Sequence, residues 1–212
     1  MTWDRFRGCI AAAGFAAGDA VVVGAWRTSP FGSFVDVMWV RPDGTRVLLA
    51  PSPPVADYVA SLYSFDEVVA TPVRGGWDGA AVGVEAGPLR VRMLTPGRDL
   101  RSWVFALRPA WLRERPGWVA IEDRVARPLV GRIIGGAQGV RAAGVAPGGQ
   151  REFYAVADYR RVTDATLTVD GADRGEVRAL PPRLGIGLSS FPTVPAVVHV
   201  TTLVESGPGR AE

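Results

Sequence analysis

The chain has 212 residues, 48% of them hydrophobic and 21% charged, with 24 basic and 21 acidic side chains giving a net charge of +3. That is globular composition, and a chain of this length buries about 70% of the surface its unfolded form exposes, enough for a core that needs no metal or disulfide. A single cysteine, Cys9, and a single histidine, His199, exclude an internal disulfide and the usual zinc ligand sets, so no metal or cofactor is expected.

In chain order, Thr2 caps a predicted helix from Trp3 to Ala13, with Phe6, Ile10 and Ala13 on one stripe and Gly14 ending it. Strands follow in "AVVVGAW" and "SFVDVMWV", the second alternating Phe34, Asp36 and Met38 with Val35, Val37 and Trp39. "RPDG" is a turn signal and "TRVLLAP" a returning strand, which makes residues 33 to 50 a hairpin. Ser52 caps a second helix beginning at Pro53, whose Val55, Tyr58, Val59 and Leu62 fall at the spacing of a buried stripe. "FDEVVATPV", "AAVGVEAG" and "PLRVRMLTPG" return to extended structure, with Leu89, Val91 and Met93 opposite Arg90 and Arg92.

Residues 108 to 129 read as two short helices carrying Trp111 and Trp118. Strand-like runs resume in "GVRAAGV", "REFYAVADY", "VTDATLTVDG", "GEVRAL" and "PAVVHVTTLVE", and the last seven residues read as a frayed tail. The expected fold is mainly β (α+β), an antiparallel sheet closed or folded into a barrel or cone with three or four short helices. One domain over residues 1 to 205 with a tail from 206 to 212 is the simplest organisation.

"GRIIGGAQGVRAAGV" holds five glycines and invites comparison with a phosphate cradle. A Walker A loop needs a lysine after its last glycine, and every basic residue here is arginine; the dinucleotide fingerprint fails because Gly135, Gly136 and Gly139 have the wrong spacing. The run is read as a bend, with Arg132 and Arg141 flanking it as anion partners if it faces a ligand. "RLGIGLSSFP" likewise matches neither a dinucleotide loop nor a nucleophile elbow at Ser189 or Ser190.

Arginine, alanine, glycine and proline share GC-rich codons, so the all-arginine basicity reflects genomic bias more than a nucleic-acid surface. Residues 108 to 161 nonetheless carry ten arginines against five acids. A nucleic-acid role, the third choice, requires Arg113, Arg115, Arg124, Arg127 and Arg132 to share one exposed face.

"REFYAVADYRR" sets Glu152, Tyr154, Val156 and Asp158 on one strand face if its alternation holds. They then line a wet interior, or, as the plainer alternative, face water with Phe153, Ala155 and Ala157 buried. His199 among valines is a core or edge-strand residue, Cys9 is packing, and a Cys–His pair has no support. Seven tryptophans are mostly core, while rings such as Trp39 beside arginines also suit a flat ligand with an anionic group.

"EDRVARPLVGRIIGGAQGVRAAGV", "RLGIGLSSFPTVPAVV" and "SPFGSFVDVMWVRPDGTRVLLAP" make nearly the whole chain similar to a family of hypothetical proteins from GC-rich bacteria. That resemblance implies no activity and assigns no site residues.

The expected function is therefore a soluble domain binding a small, partly apolar and optionally anionic molecule, through Arg132, Arg141, Glu152, Tyr154, Asp158 and Trp39. The alternative is a structural or protein-interaction domain with a filled core. Catalysis is not favoured, and a homo-oligomer is left open. With two early arginines but Asp4 in the would-be basic region and only weakly apolar Ala and Gly after it, the N-terminus does not read as a signal peptide. No stretch nears the roughly 20 apolar residues of a spanning helix, and a cytoplasmic location is expected.

Overall fold

The structure, a computed structural model, describes residues 3–97, 143–145, 150–187 and 193–205. Its elements are β1 (Trp3–Phe15), β2 (Ala20–Thr28), β3 (Phe34–Val40), β4 (Arg46–Ala50), α1 (Pro53–Leu62), β5 (Glu67–Ala70), β6 (Val73–Trp77), β7 (Ala81–Ala86), β8 (Leu89–Leu94), β9 (Ala143–Val145), β10 (Arg151–Arg161), β11 (Asp164–Val169), β12 (Ala172–Asp173), β13 (Val177–Arg178) and β14 (Ala196–Glu205).

They form two open sheets. The larger runs β5-β4-β3-β2-β1-β14-β10-β9, with β13 also on β1, and the smaller runs β12-β11-β8-β7-β6. All pairs are antiparallel except β4 with β5. Among the described residues the end strands of neither sheet pair with each other, so the closed barrel or cone expected from sequence gives way to two sheets packed face to face.

One core lies between the sheets. Cys9, Ala11, Ala13 and Phe15 of β1, Val21 and Val23 of β2, and Val37 and Trp39 of β3 meet Val82, Val84, Leu89, Val91, Met93 and Leu167 from the smaller sheet. A second core covers the opposite face of the large sheet, where Phe6, Ile10, Ala12, Val22, Phe34, Met38 and Leu48 meet Val55, Ala56, Val59 and Leu62 of α1 and then Leu180 and Ile186.

Burial on both faces explains the main misreading. The expected first helix is strand β1, paired with β2 on one side and β14 on the other. Its run "CIAAAGF" is apolar at every position because each face meets a core, and a strand buried on both sides reads as a continuous apolar run rather than an alternating one. Pairing with two neighbours outweighs the helical preference of its alanines. Gly8 marks a register shift against β2, where an added Cβ would collide with the Ala25 carbonyl.

The 33–50 hairpin forms as expected, β3 against β4, with the Gly44 N–H donating to the Arg41 carbonyl at 2.9 Å. Helix α1 starts at Pro53 with Ser52 in the cap position, although the Ser52 hydroxyl makes no capping bond. Leu89, Val91 and Met93 are buried while Arg90 and Arg92 are exposed, as the alternation of that strand requires. Helix α1 is the one helix among the described residues, so three or four helices are not found there. The two expected over residues 108 to 129 lie outside the described residues, as do the "GRIIGG" end of the glycine run and the tail from 206 to 212. No helix among the described residues is long and apolar enough to cross a membrane.

A β4-α1-β5 crossover is what creates the site. It is the one place among the described residues where consecutive strands run parallel, so the connection must cross the face of the sheet, and α1 is laid over the outer faces of β1 to β4.

Candidate functional site

Beneath α1 the outer face of the large sheet is not completely filled. A cavity of about 50 Å³ is walled by Phe6, Trp26, Phe34, Tyr58, Tyr63 and Tyr154, with aliphatic side chains between them, and also reaches Asp36 and Thr202. Phe6 is the hub of the rings: Trp26 lies 5.5 Å away at 68°, Tyr58 5.5 Å away at 38° and Phe34 6.4 Å away at 90°.

Asp36 enters this apolar wall because β3 alternates, which puts Phe34, Asp36 and Met38 together toward α1. Its partner across the sheet is Gly24 of β2. A Cβ at position 24 would stand 2.5 Å from Asp36 Oδ1 and 2.7 Å from Trp26 Nε1. The glycine therefore leaves the space in which the Trp26 indole N–H donates to Asp36 Oδ1 at 3.1 Å. Asp36 is only 1% exposed, and burial pushes its carboxyl from 3.8 up to about 7 against the opposing pull of that hydrogen bond.

A second acidic group is held by tyrosines. Tyr63, which follows α1 directly, donates to Glu152 Oε1 at 2.8 Å; Tyr154 donates to Glu152 Oε2 at 2.8 Å; the two phenol oxygens are 3.1 Å apart. Three oxygen contacts close a ring, and the two tyrosine protons fill only two of them. Burial raises the Glu152 carboxyl above its ordinary range, against the opposing pull of its two tyrosine hydrogen bonds. The Tyr63 hydroxyl is pushed well above 10, first by burial and then by Tyr154 and Glu152.

Two further hydroxyls complete the wall. Tyr58 donates to Asp4 Oδ2 at 3.0 Å. Thr202 Oγ1 is buried and has no hydrogen-bond partner among the described residues.

Of the side chains singled out from sequence, the structure brings Glu152 and Tyr154 together, Tyr154 on the cavity wall and Glu152 bonded to it and to the wall residue Tyr63. Trp39 belongs to the opposite face of β3, between the sheets, where its indole donates to Asp19 Oδ1 at 2.9 Å. Asp158 is also carried away from the cavity. Val156 pairs with Val200 but Asp158 with His199, so Ala157 is an extra, bulged residue that turns Asp158 to the face opposite Glu152 and Tyr154. The expected uniform face of β10 is thereby corrected, and so is its solvated alternative, since Glu152 and Asp158 are 1% and 3% exposed and Phe153 is buried as well. Arg132 and Arg141 lie outside the described residues, as do Arg113, Arg115, Arg124, Arg127, Ser189 and Ser190.

On that other face the register places Cys9 directly beside His199, and His199 beside Asp158. Asp158 is paired with Arg160 at 3.1 Å; the Arg160 guanidinium stacks on Trp77, and Trp77 meets His199 edge-on at 5.0 Å. The row looks like a nucleophile, a base and an acid. Burial, however, pushes the Cys9 thiol up to about 11 despite the nearby Arg27, and a thiol at that level is not a nucleophile at neutral pH. Cys9 is packing, as expected. No group of three His, Cys, Asp or Glu side chains among the described residues is placed to hold a metal ion.

No family model and no curated protein matches the chain. Among solved structures, it is similar to an acetoacetate decarboxylase from Legionella pneumophila, with a TM-score of 0.41 and 10% identity over 96% of this chain and 84% of that one. No residue role is transferred at that level of similarity.

Asp36, Trp26, Tyr58, Tyr63 and Thr202 are the site residues that sequence reasoning missed. Asp36 did carry a signal, as a lone charge alternating with Phe34 and Met38 on an apolar strand face. Gly24 and Thr202 carried none, since their importance depends on what lies across the sheet.

Proposed function

We propose that the protein binds a small, partly apolar molecule in the cavity under α1. The observation that carries this is Thr202 Oγ1, a buried hydroxyl with no partner among the described residues, on a wall that is otherwise mostly ring and aliphatic surface. Leaving a buried hydroxyl unpaired costs about 1–3 kcal/mol, and a purely structural core would avoid that with valine. A few convergent polar groups in a mainly apolar concavity are the usual make-up of a small-molecule site.

The alternative of a filled structural core describes the other face of the large sheet, where Val, Leu, Met and Ala side chains pack between the sheets. The anionic preference weakens, because the polar groups at the described cavity are carboxyls, hydroxyls and an indole N–H. A thermal-shift screen of small neutral, cationic and anionic organic molecules tests the proposal. Stabilisation of the wild type by at least one class, lost in Thr202→Leu, is the expected result. A clean negative across all classes, with Thr202→Leu simply more stable than wild type, returns the cavity to a packing defect.

A further inference from the structure

Resting on the binding role above, we infer that the cavity takes a small alkylammonium group, with Asp36 as its counter-ion and the rings of Phe6, Trp26, Phe34 and Tyr58 as its walls. Charge is the first reason. No arginine or histidine is among the described residues lining the cavity, so Asp36 is a buried acid whose described hydrogen-bond partners are neutral, the Trp26 indole N–H and a backbone N–H. A cation supplies the opposite charge that this carboxylate lacks among the described residues, and a buried carboxylate is far less costly when paired. Glu152 does not compete for that role, because both of its oxygens are engaged by Tyr63 and Tyr154.

The second reason is the wall itself. The rings of Trp26, Tyr58 and Phe34, 5.5 to 6.4 Å from that of Phe6, offer with it π surface to a cation, and aromatic cages are the recognised environment of substituted ammonium groups. Hydrogen-bond inventory is the third. An ammonium brings only donors, and the wall offers acceptors in Asp36 and in the unpartnered Thr202 Oγ1. Size sets the limit: a cavity of about 50 Å³ holds the equivalent of roughly three to five waters, a head group of about that many non-hydrogen atoms.

The groups facing Asp36 decide how binding responds to pH. They are Trp26 from β2, Tyr58 and Tyr63 from and just after α1, Tyr154 from β10 with Glu152 held by it, and Thr202 from β14, with Asp4 of β1 bonded to Tyr58. Of these, Asp36 is the carboxyl positioned to ionise against a bound cation, so affinity for a cation rises with pH as Asp36 gives up its proton.

Isopropylammonium, acetone and isobutyrate are matched in size and differ in charge. Their affinities, measured by ligand-observed NMR from about pH 5.5 to about pH 8, give the test. The expected result is that isopropylammonium binds at least about tenfold more tightly than the other two at pH 8 and loses at least about fivefold in affinity by pH 5.5. Asp36→Asn is expected to remove both the preference and the pH dependence. Preferential binding of acetone or isobutyrate, or a wild-type affinity for isopropylammonium that is flat with pH, overturns the cation inference and leaves the cavity as a binding site. Binding of none of the three overturns the binding role itself. The wild-type pH ratio is read without any variant, so a folding defect in Asp36→Asn does not shelter the inference.

Discussion

Replacing Asp36 with asparagine should change how stability depends on pH more than it changes stability at any one acid pH. Burial raises this carboxyl from 3.8 to about 7, so the folded state holds its proton more tightly than the unfolded chain. Such a group favours the fold fully below about pH 4, and that contribution is lost as pH rises through about 7, where the folded protein must also ionise it. The interval is about three pH units, and at ~1.4 kcal/mol per unit the loss is on the order of 4 kcal/mol. Asparagine keeps an oxygen for the Trp26 N–H and never ionises, at a cost of about 1 kcal/mol for a new amide N–H₂ that needs a partner. Urea denaturation followed by tryptophan fluorescence at several values from pH 4.5 to pH 8.5 is the assay. Wild type should lose stability from pH 4.5 to about pH 7 and level off above it, while Asp36→Asn stays much flatter, so that the variant is the more stable protein at the alkaline end. Glu152, raised in the same direction by its own burial, leaves a smaller slope of the same sign in the variant. Asp43, Asp66 and Asp78 are lowered by their hydrogen bonds and lose stabilisation only as pH falls, on the acid side of this window. Curves for the two proteins that run parallel through the whole range would refute the placement of Asp36 as a buried acid.

Gly24→Ala places a methyl group 2.5 Å from Asp36 Oδ1; it should cost about 2–4 kcal/mol in urea midpoint and shift Trp26 fluorescence to the red, as overpacking of a fixed site does. Tyr63→Phe removes one of the two donors to Glu152 and should cost about 1–3 kcal/mol, with the Glu152 carboxyl moving further up in a carbon-detected NMR titration. Cys9, buried and with its thiol at about 11, should react with a thiol reagent at pH 8 at least about a hundredfold more slowly in the native protein than in urea.

What the sequence made legible was local. The 33–50 hairpin rests on a turn signal between two β-branched runs, α1 on a proline start and a four-residue apolar stripe, and β8 on strict alternation. Each of these is decided by residues within a few positions of one another. Strand β1 was not legible in the same way: an alanine-rich run suits a helix until two partner strands and two cores compete for it, and those partners lie as far away as β14. The candidate site divides along the same line. Glu152 and Tyr154 stood out as polar residues two apart on a strand. The bulge at Ala157 that separates them from Asp158 exists only in the register between β10 and β14. Trp39 drew notice as an aromatic ring, but the alternation that aims Asp36 at the cavity aims Trp39 away from it.

The central claim is that the space under α1 is a binding site, and the indole N–H of Trp26 reports on it directly. Trp39 serves as an internal control, because its indole is tied to Asp19 on the far side of the same sheet. Titrating isopropylammonium, acetone and isobutyrate into ¹⁵N-labelled protein should shift the Trp26 indole resonance saturably with at least one of them. The Trp39 resonance should stay in place, and the Trp26 response should disappear in Thr202→Leu. A Trp26 resonance unmoved by all three molecules, or moved equally in wild type and Thr202→Leu, would contradict it.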